Sequence, residues 1–231
     1  MDPFSYLSVL LSIILGLAIT QILKGFRGIV LARGRVRMSW LPVGWAVLML
    51  VINIQTWWAM FGLRNVQVWT FPGFAAVLVH CILLYMLAGL VLPDFFGEDE
   101  IELRKHYFGH HRILFSLALV TLGVSLGQDL VLDGHLTSRP NLIFHGIFAA
   151  IALAALVSAR EWLHRLVLIA FAAAFIGYMA SCSHTLARTA TRRPRRRRTW
   201  AMIAVSNAAA RTPPDRKNVY ARGRPRNPCR P

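Results

Sequence analysis

Residues 71–92 read FPGFAAVLVHCILLYMLAGLVL, a run of 22 residues that contains no Lys, Arg, Asp or Glu. A bilayer core about 30 Å thick requires roughly 20 consecutive, mostly apolar residues in a helix, so this run is typical of a membrane-spanning segment. Five other stretches have nearly the same length and composition. The sequence therefore predicts an all-α, polytopic transmembrane helix bundle with about six spans, at about 4–23, 42–63, 71–92, 113–132, 141–159 and 163–182.

The overall composition excludes an ordinary soluble domain. Apolar residues make up 56% of the chain, whereas soluble proteins average about 45–50% even when glycine is counted. The longest connection between predicted spans, about 93–112, is too short to fold around a core of its own. We predict a transmembrane body at 1–183 and a disordered Arg- and Pro-rich tail at 184–231, with any activity located within the bundle or at its rims.

The charges of the connecting loops predict an orientation. Lys and Arg accumulate in the cytoplasmic loops of membrane proteins. The first, third and fifth loops hold ten of these residues, and the second and fourth loops hold two. The count predicts that the basic loops lie inside and that the N-terminus lies outside.

The C-terminal tail conflicts with this orientation. Residues 188–231 carry fourteen Lys or Arg and one acid, and six spans would place them outside. Three explanations stay open: a re-entrant sixth helix, an inverted chain, or a tail that is not an evolved sequence. We favour the last, a frameshift product, because thirteen of the fourteen cations are Arg, as in an out-of-frame reading of GC-rich DNA. Without a folded reading element, we do not expect specific nucleic-acid binding.

Small residues recur at helical spacing in three of the predicted spans. They are Ser5, Ser8, Ser12, Gly16 and Thr20 in the first span, Gly146, Ala150 and Ala154 in the fifth, and Ala170, Ala174 and Tyr178 in the sixth. In lipid, small residues allow helix backbones to approach closely. The pattern predicts packing faces within the chain, with the fifth and sixth spans as an antiparallel hairpin. A homodimer seam is the alternative.

A few polar side chains inside the predicted spans stand out: Asn53, Gln55, His80, Gln128, Asp129 and His145. Such groups usually face the bundle interior or a water-filled cavity. Asp129 and His145 lie near the same end of neighbouring spans, so they predict an outward polar pocket with a proton-responsive pair. The alternative is that both side chains reach interfacial water. His80 lies deeper, where a lone histidine is typical of a hydrogen bond between helices.

The third loop contains a candidate metal site. Glu102, His106 and His110 recur every four residues and would align on a helix, and carboxylate with imidazole suits a transition metal. Gly109 weakens that helix, and no established metal motif is present. We therefore favour an amphipathic connector at the membrane interface, with its basic residues near anionic lipid headgroups. We predict no cofactor.

Three segments carry a family resemblance: LRKHYFGHHRILF at 103–115, SVLLSIILGLAITQIL at 8–23 and NIQTWWAMFGLR at 53–64. They are similar to segments of small bacterial inner-membrane proteins of no assigned activity. The resemblance covers about 4–180 and implies a multi-pass architecture and a bacterial inner-membrane location.

The function predicted from the sequence is a non-catalytic membrane component. The chain contains no phosphate-binding loop, dinucleotide fingerprint, nucleophile elbow or haem-attachment motif. We therefore predict that it is not an enzyme, and that it assembles with a membrane-protein partner or a second copy, or senses the bilayer. A small transporter or channel-like protein that uses the outward polar pocket is the alternative.

Overall fold

The computed structural model describes residues 3–66, 69–93, 100–134 and 138–192, with side chains as far as residue 180. Its long helices are α1 (Pro3–Leu31), α2 (Trp40–Met60), α3 (Phe71–Val91), α4 (Leu103–Asp133), α5 (Arg139–Val157) and α6 (Glu161–Arg192). Each contains a segment long and apolar enough to cross a membrane. The predicted six-span, multi-pass architecture is confirmed. Residues 184–192 of the predicted tail belong to α6, and the predictions for the tail beyond Arg192 lie outside the described residues.

Local signals in the sequence set several helix ends. Thr70 precedes α3, and its hydroxyl oxygen accepts a hydrogen bond from the backbone N–H of Gly73 at 3.3 Å, which satisfies a donor that the first helical turn leaves free. Beyond the end of α4, Gly134 adopts a left-handed conformation with φ of 71°. Glycine adopts this conformation without a steric penalty. Its N–H donates to the Leu130 carbonyl, so the turn that leads towards α5 closes as a helix C-cap.

The connections after α1, α3 and α5 meet at one end of the bundle. Strand β1 (Val36–Arg37) pairs in parallel with β2 (Ile101–Glu102), and this pairing joins the first and third connections. An ion pair of 2.6 Å between Arg104 and Glu161 joins the starts of α4 and α6. We call this end the basic rim, and the other end the opposite rim. The sheet was not predicted, because strands of two residues leave no alternating pattern in the sequence.

Two helices extend beyond the predicted spans at the basic rim. Helix α4 begins at Leu103 rather than near residue 113, and α1 continues to Leu31. The prediction of a separate interfacial connector was therefore wrong, since that segment forms the first turns of α4. Charged residues ended the apolar run in the sequence, but they did not end the helix. With its 31 residues, α4 is about 46 Å long at about 1.5 Å per residue, which exceeds the hydrocarbon thickness.

The small-residue stripe of α1 lies on the exposed side of the helix. Leu11, Leu15, Ala18 and Ile22 form the buried face, and Gly16 is exposed. The predicted packing of this stripe within the chain was wrong. The hydroxyl groups of Ser8 and Thr20 donate to the backbone carbonyls of Ser5 and Gly16 in their own helix. They need no partner helix, while bulkier side chains fill the space between helices.

Helices α5 and α6 meet through aromatic rings, and one of these, Tyr178, belongs to the predicted α6 line. The predicted line on α5 (Gly146, Ala150 and Ala154) is exposed. Phe148 packs on Phe171, with 4.6 Å between ring centroids, and Phe144 packs on Tyr178 at 5.5 Å. The earlier residues of α5 contact the later residues of α6, so the two helices are antiparallel as predicted.

Candidate functional site: a histidine-lined cavity

A cavity of about 160 Å³ lies among helices α2 to α6. Most of its lining is apolar or aromatic. Besides Tyr178, the polar side chains in the lining are those of Thr56, His80, Thr121, Ser125 and His145. Apolar walls with a few placed polar groups are typical of a ligand pocket. Two of the predicted intramembrane residues, His80 and His145, thus line the same cavity.

His145 is held in a defined orientation by both ring nitrogens. Nδ1 lies 2.9 Å from the backbone carbonyl of Asn141, and Nε2 lies 3.3 Å from the hydroxyl oxygen of Ser125. A carbonyl only accepts hydrogen bonds, so the hydrogen is assigned to Nδ1, and Nε2 accepts from the Ser125 hydroxyl. Ser125 was not predicted to take part, because a single serine in an apolar helix carries no distinctive signal.

His80 lines the cavity, and its imidazole is not fully hydrogen-bonded. Its Nδ1 is buried, and no described residue gives it a hydrogen-bond partner. An unpaired buried polar group costs about 1–3 kcal/mol relative to a paired one. A small molecule whose hydrogen-bonding group reaches this nitrogen would remove the cost, so His80 is a candidate polar anchor for a ligand in the cavity.

The other predicted polar residues lie near the cavity or towards the opposite rim. Asn53 is fully buried, and its amide donates to the Met49 carbonyl at 2.8 Å. Its side-chain oxygen is buried, with no hydrogen-bond partner among the described residues. Gln55, Gln128 and Asp129 are half-buried. The hydrogen bonds of His145 described above go to Ser125 and Asn141, and its pairing with Asp129 stays a prediction.

Packed aromatic rings form the floor of the cavity on the side of the basic rim. Trp45 meets Phe115 edge to face, with 5.4 Å between ring centroids, and meets Phe171 at 5.5 Å. Trp45 and Phe115 each lie about one helical turn before cavity-lining residues of α2 and α4. Both side chains are almost completely buried. The rings therefore separate the cavity from the basic rim.

A buried tyrosine–histidine pair lies beyond this floor, nearer the basic rim. The Tyr107 hydroxyl is 2.8 Å from Nδ1 of His164, and Nε2 of His164 is 2.7 Å from the Ser158 carbonyl. The carbonyl fixes the ring hydrogen on Nε2, so Nδ1 accepts from the Tyr107 hydroxyl. His164 is fully buried. The sequence analysis missed it, because charged neighbours at 160, 161 and 165 gave this segment the character of a rim.

The predicted metal ligands do not converge. His106 and His110 lie close together, with 4.6 Å between ring centroids. Nε2 of His106 is 3.3 Å from the Leu90 carbonyl, and Nδ1 of His110 is 2.9 Å from the His106 carbonyl. Glu102 belongs to β2. Within the described part of the chain, no group of three His, Cys, Asp or Glu residues could hold a metal ion.

No protein-family model, curated protein or solved structure matches this chain. Among the described residues that line the histidine-lined cavity there is no carboxylate, lysine or cysteine. Two imidazoles and the threonine and serine hydroxyls can donate and accept hydrogen bonds. This arrangement suits reversible binding of a small neutral molecule.

Proposed function

We propose that this protein is a non-catalytic membrane component that senses a small, largely apolar ligand bound between His80 and His145. The observation that carries the proposal is that His80 lines an otherwise largely apolar cavity, while its buried Nδ1 has no hydrogen-bond partner among the described residues. The ligand would supply the missing hydrogen bond and release the cost of an unpaired buried group.

The size of the cavity defines the class of ligand. At about 160 Å³, it is close to the roughly 150 Å³ of an apolar protein cavity that binds benzene. A single ring with one hydroxyl or amino group fits this volume and provides one polar contact. A charged molecule does not suit the site, because the part of the lining that the structure describes contains no Asp, Glu, Lys or Arg, and burial of an unpaired charge is costly.

A small transporter is the second candidate, and one observation favours it. Polar residues continue from the cavity towards the opposite rim, where Asp129 lies one helical turn beyond Ser125 on α4, and Asn141 lies one turn before His145 on α5. A transport path must also continue in the other direction. There the rings of Trp45, Phe115 and Phe171 are packed together, so we prefer sensing to conduction.

The first experiment compares phenol and benzene as probes. Thermal unfolding of the purified protein is followed in neutral detergent at increasing probe concentrations. We expect both probes to raise the melting temperature, and we expect phenol to bind about fivefold more tightly because of one additional hydrogen bond of about 1 kcal/mol. His80→Leu should abolish this difference, whereas His110→Leu, outside the cavity, should retain it.

Two results would contradict the proposal: saturable stabilisation by neither probe, or an unchanged preference for phenol in His80→Leu. A liposome assay tests the second candidate separately. Proton-dependent flux that is lost in Asp129→Asn would favour a transporter over a sensor.

We also propose an orientation and a location. The excess of Lys and Arg at the basic rim supports a cytoplasmic basic rim and an external N-terminus. The resemblance to small bacterial proteins supports the inner membrane. Reporter fusions at the N-terminus and after residue 66 test the orientation. A reporter signal typical of the cytoplasm at either position would contradict the proposed orientation.

A further inference from the structure

A second cavity, of about 300 Å³, opens at the basic rim between the ends of α1 and α3. Lys24 and Arg27 line it from α1, and Arg35 lines it from the segment after α1. Gly89 and Leu92 form part of the wall at the end of α3. No acidic residue is among the described residues that line it. The cavity therefore combines several positive charges with a concave shape.

The depth of this cavity corresponds to the lipid headgroups. The apolar run of α1 from residue 4 to residue 23 is about 30 Å long and matches the hydrocarbon core. Lys24 and Arg27 follow this run directly, and both are exposed. Their side chains thus lie at the level where phospholipids carry their phosphate groups. Leu31 and Leu92 supply apolar lining beside them.

Two glycines without a Cβ atom, Gly25 and Gly89, contribute to the shape of the cavity. A Cβ atom at Gly25 would lie 2.6 Å from Cδ1 of Leu92, so glycine lets the ends of α1 and α3 approach. A Cβ atom at Gly89 would meet no atom within 4 Å, so the wall at this position faces open space. A larger side chain at Gly89 would therefore enter the cavity without changing its charge.

Favourable interaction with the α1 macrodipole does not explain these cations. Lys and Arg near a helix C-terminus interact favourably with the partial negative charge there, but the effect falls off within the last turn. Helix α1 ends at Leu31 and has no basic residue in its last turn. The macrodipole also does not account for a concave space that is lined by Arg35, which lies beyond the helix, and by Gly89 of another helix.

We propose that this cavity binds a phosphate group, presented by an anionic phospholipid at the basic rim. Lys24 and Arg27 would donate to the phosphate oxygens, and the neighbouring leucines would contact the glycerol and the first acyl carbons. This site is separate from the histidine-lined cavity and does not depend on the function proposed for it.

The test measures lipid binding to the purified full-length protein in neutral detergent. Phosphatidylglycerol and phosphatidylcholine are titrated separately, and bound lipid is counted by native mass spectrometry. Inorganic phosphate is added in a competition arm. We expect preferential binding of phosphatidylglycerol and displacement of it by millimolar phosphate.

Charge-neutralising variants, one cavity-filling variant and a control variant locate the binding site. Loss of each cation should weaken binding of phosphatidylglycerol about fivefold, and Lys24→Gln with Arg27→Gln together should weaken it about 25-fold. Gly89→Leu should weaken it with every charge intact. Arg33→Gln is the matched control, because Arg33 is exposed on the segment after α1, close to Arg35, but is not among the residues that line the cavity.

Several outcomes would overturn the proposal. Equal binding of the two lipids would show no selection by charge, and an equal loss in Arg33→Gln would show only a diffuse surface effect. Unchanged binding in Gly89→Leu would place the lipid elsewhere. Binding of inorganic phosphate without retained lipid would overturn the lipid source.

Discussion

Replacing Tyr107 by Phe removes one oxygen atom from the buried pair with His164 and preserves both rings. The hydroxyl lies 2.8 Å from Nδ1, and the Ser158 carbonyl holds the ring hydrogen on Nε2 at 2.7 Å. Nδ1 therefore has only a lone pair to offer. In Tyr107→Phe, this lone pair stays buried and loses its donor.

Two magnitudes bound the expected loss of stability. A buried acceptor without a partner costs about 1–3 kcal/mol in proteins generally, and hydrogen bonds between membrane helices average about 0.6 kcal/mol, with a maximum of about 1.7. His164 is fully buried and Tyr107 is 2% exposed, so water does not replace the lost donor easily. We expect Tyr107→Phe to lower the free energy of unfolding by about 1–2 kcal/mol.

Unfolding in mixed micelles with increasing dodecyl sulfate, followed by tryptophan fluorescence, measures this change. Tyr85→Phe is the matched control, because its hydroxyl meets Gln21 only at 3.5 Å. We expect that control to lose less than about 0.5 kcal/mol. The double variant with His164→Phe completes a mutant cycle. Equal losses in the two tyrosine variants, or additive effects of Tyr107→Phe and His164→Phe, would refute the reasoning.

Three further predictions use the same unfolding assay. Gly25→Ala should destabilise the bundle by about 1–3 kcal/mol, because the new Cβ would lie 2.6 Å from Leu92 Cδ1. Gly16→Ala is the control, since a Cβ there meets open space and should be neutral. Equal effects of the two substitutions would contradict the packing. Leu15→Ala should lower the free energy of unfolding by about 2–5 kcal/mol, because its side chain is fully buried. Gly16→Leu lies on the exposed face of α1 and should be tolerated. A larger loss in Gly16→Leu than in Leu15→Ala would show that the small-residue stripe packs inside the bundle. Glu161→Gln removes both ion pairs of that carboxylate, and its effect should shrink as salt concentration rises; an effect independent of salt would argue against exposed pairs.

The number of spans was predictable from the sequence, but the faces of the helices were not. Helix length in a membrane follows from the thickness of the hydrocarbon, so runs of apolar residues identify the spans. The rotation of each helix about its own axis does not follow from these runs. Lipid is as apolar as the protein interior, so hydrophobicity does not separate Leu15, which is buried, from Leu17, which is exposed.

Only those residues of the candidate site whose burial in hydrocarbon costs much free energy could be predicted from the sequence. His80 and His145 were identified because hydrocarbon disfavours their rings. The hydroxyl residues of the same cavity gave no such signal, since a hydroxyl can donate within its own helix, as Thr121 does to the Leu117 carbonyl at 2.8 Å. His164 was missed for the opposite reason. It lies beside charged residues, and only the packing of three helices places its ring inside.

The parallel pair β1–β2 has a consequence for the order of membrane insertion. Parallel strands require a crossover connection, and here that crossover is residues 38–100, which include both α2 and α3. During synthesis, Val36 leaves the ribosome long before its partner Ile101. The N–H of Ile101 then bonds to the Arg35 carbonyl at 3.0 Å. The first three spans must therefore be synthesised before this strand pair can form. A nascent chain that ends before residue 101 would lack the pairing that joins the first and third connections at the basic rim.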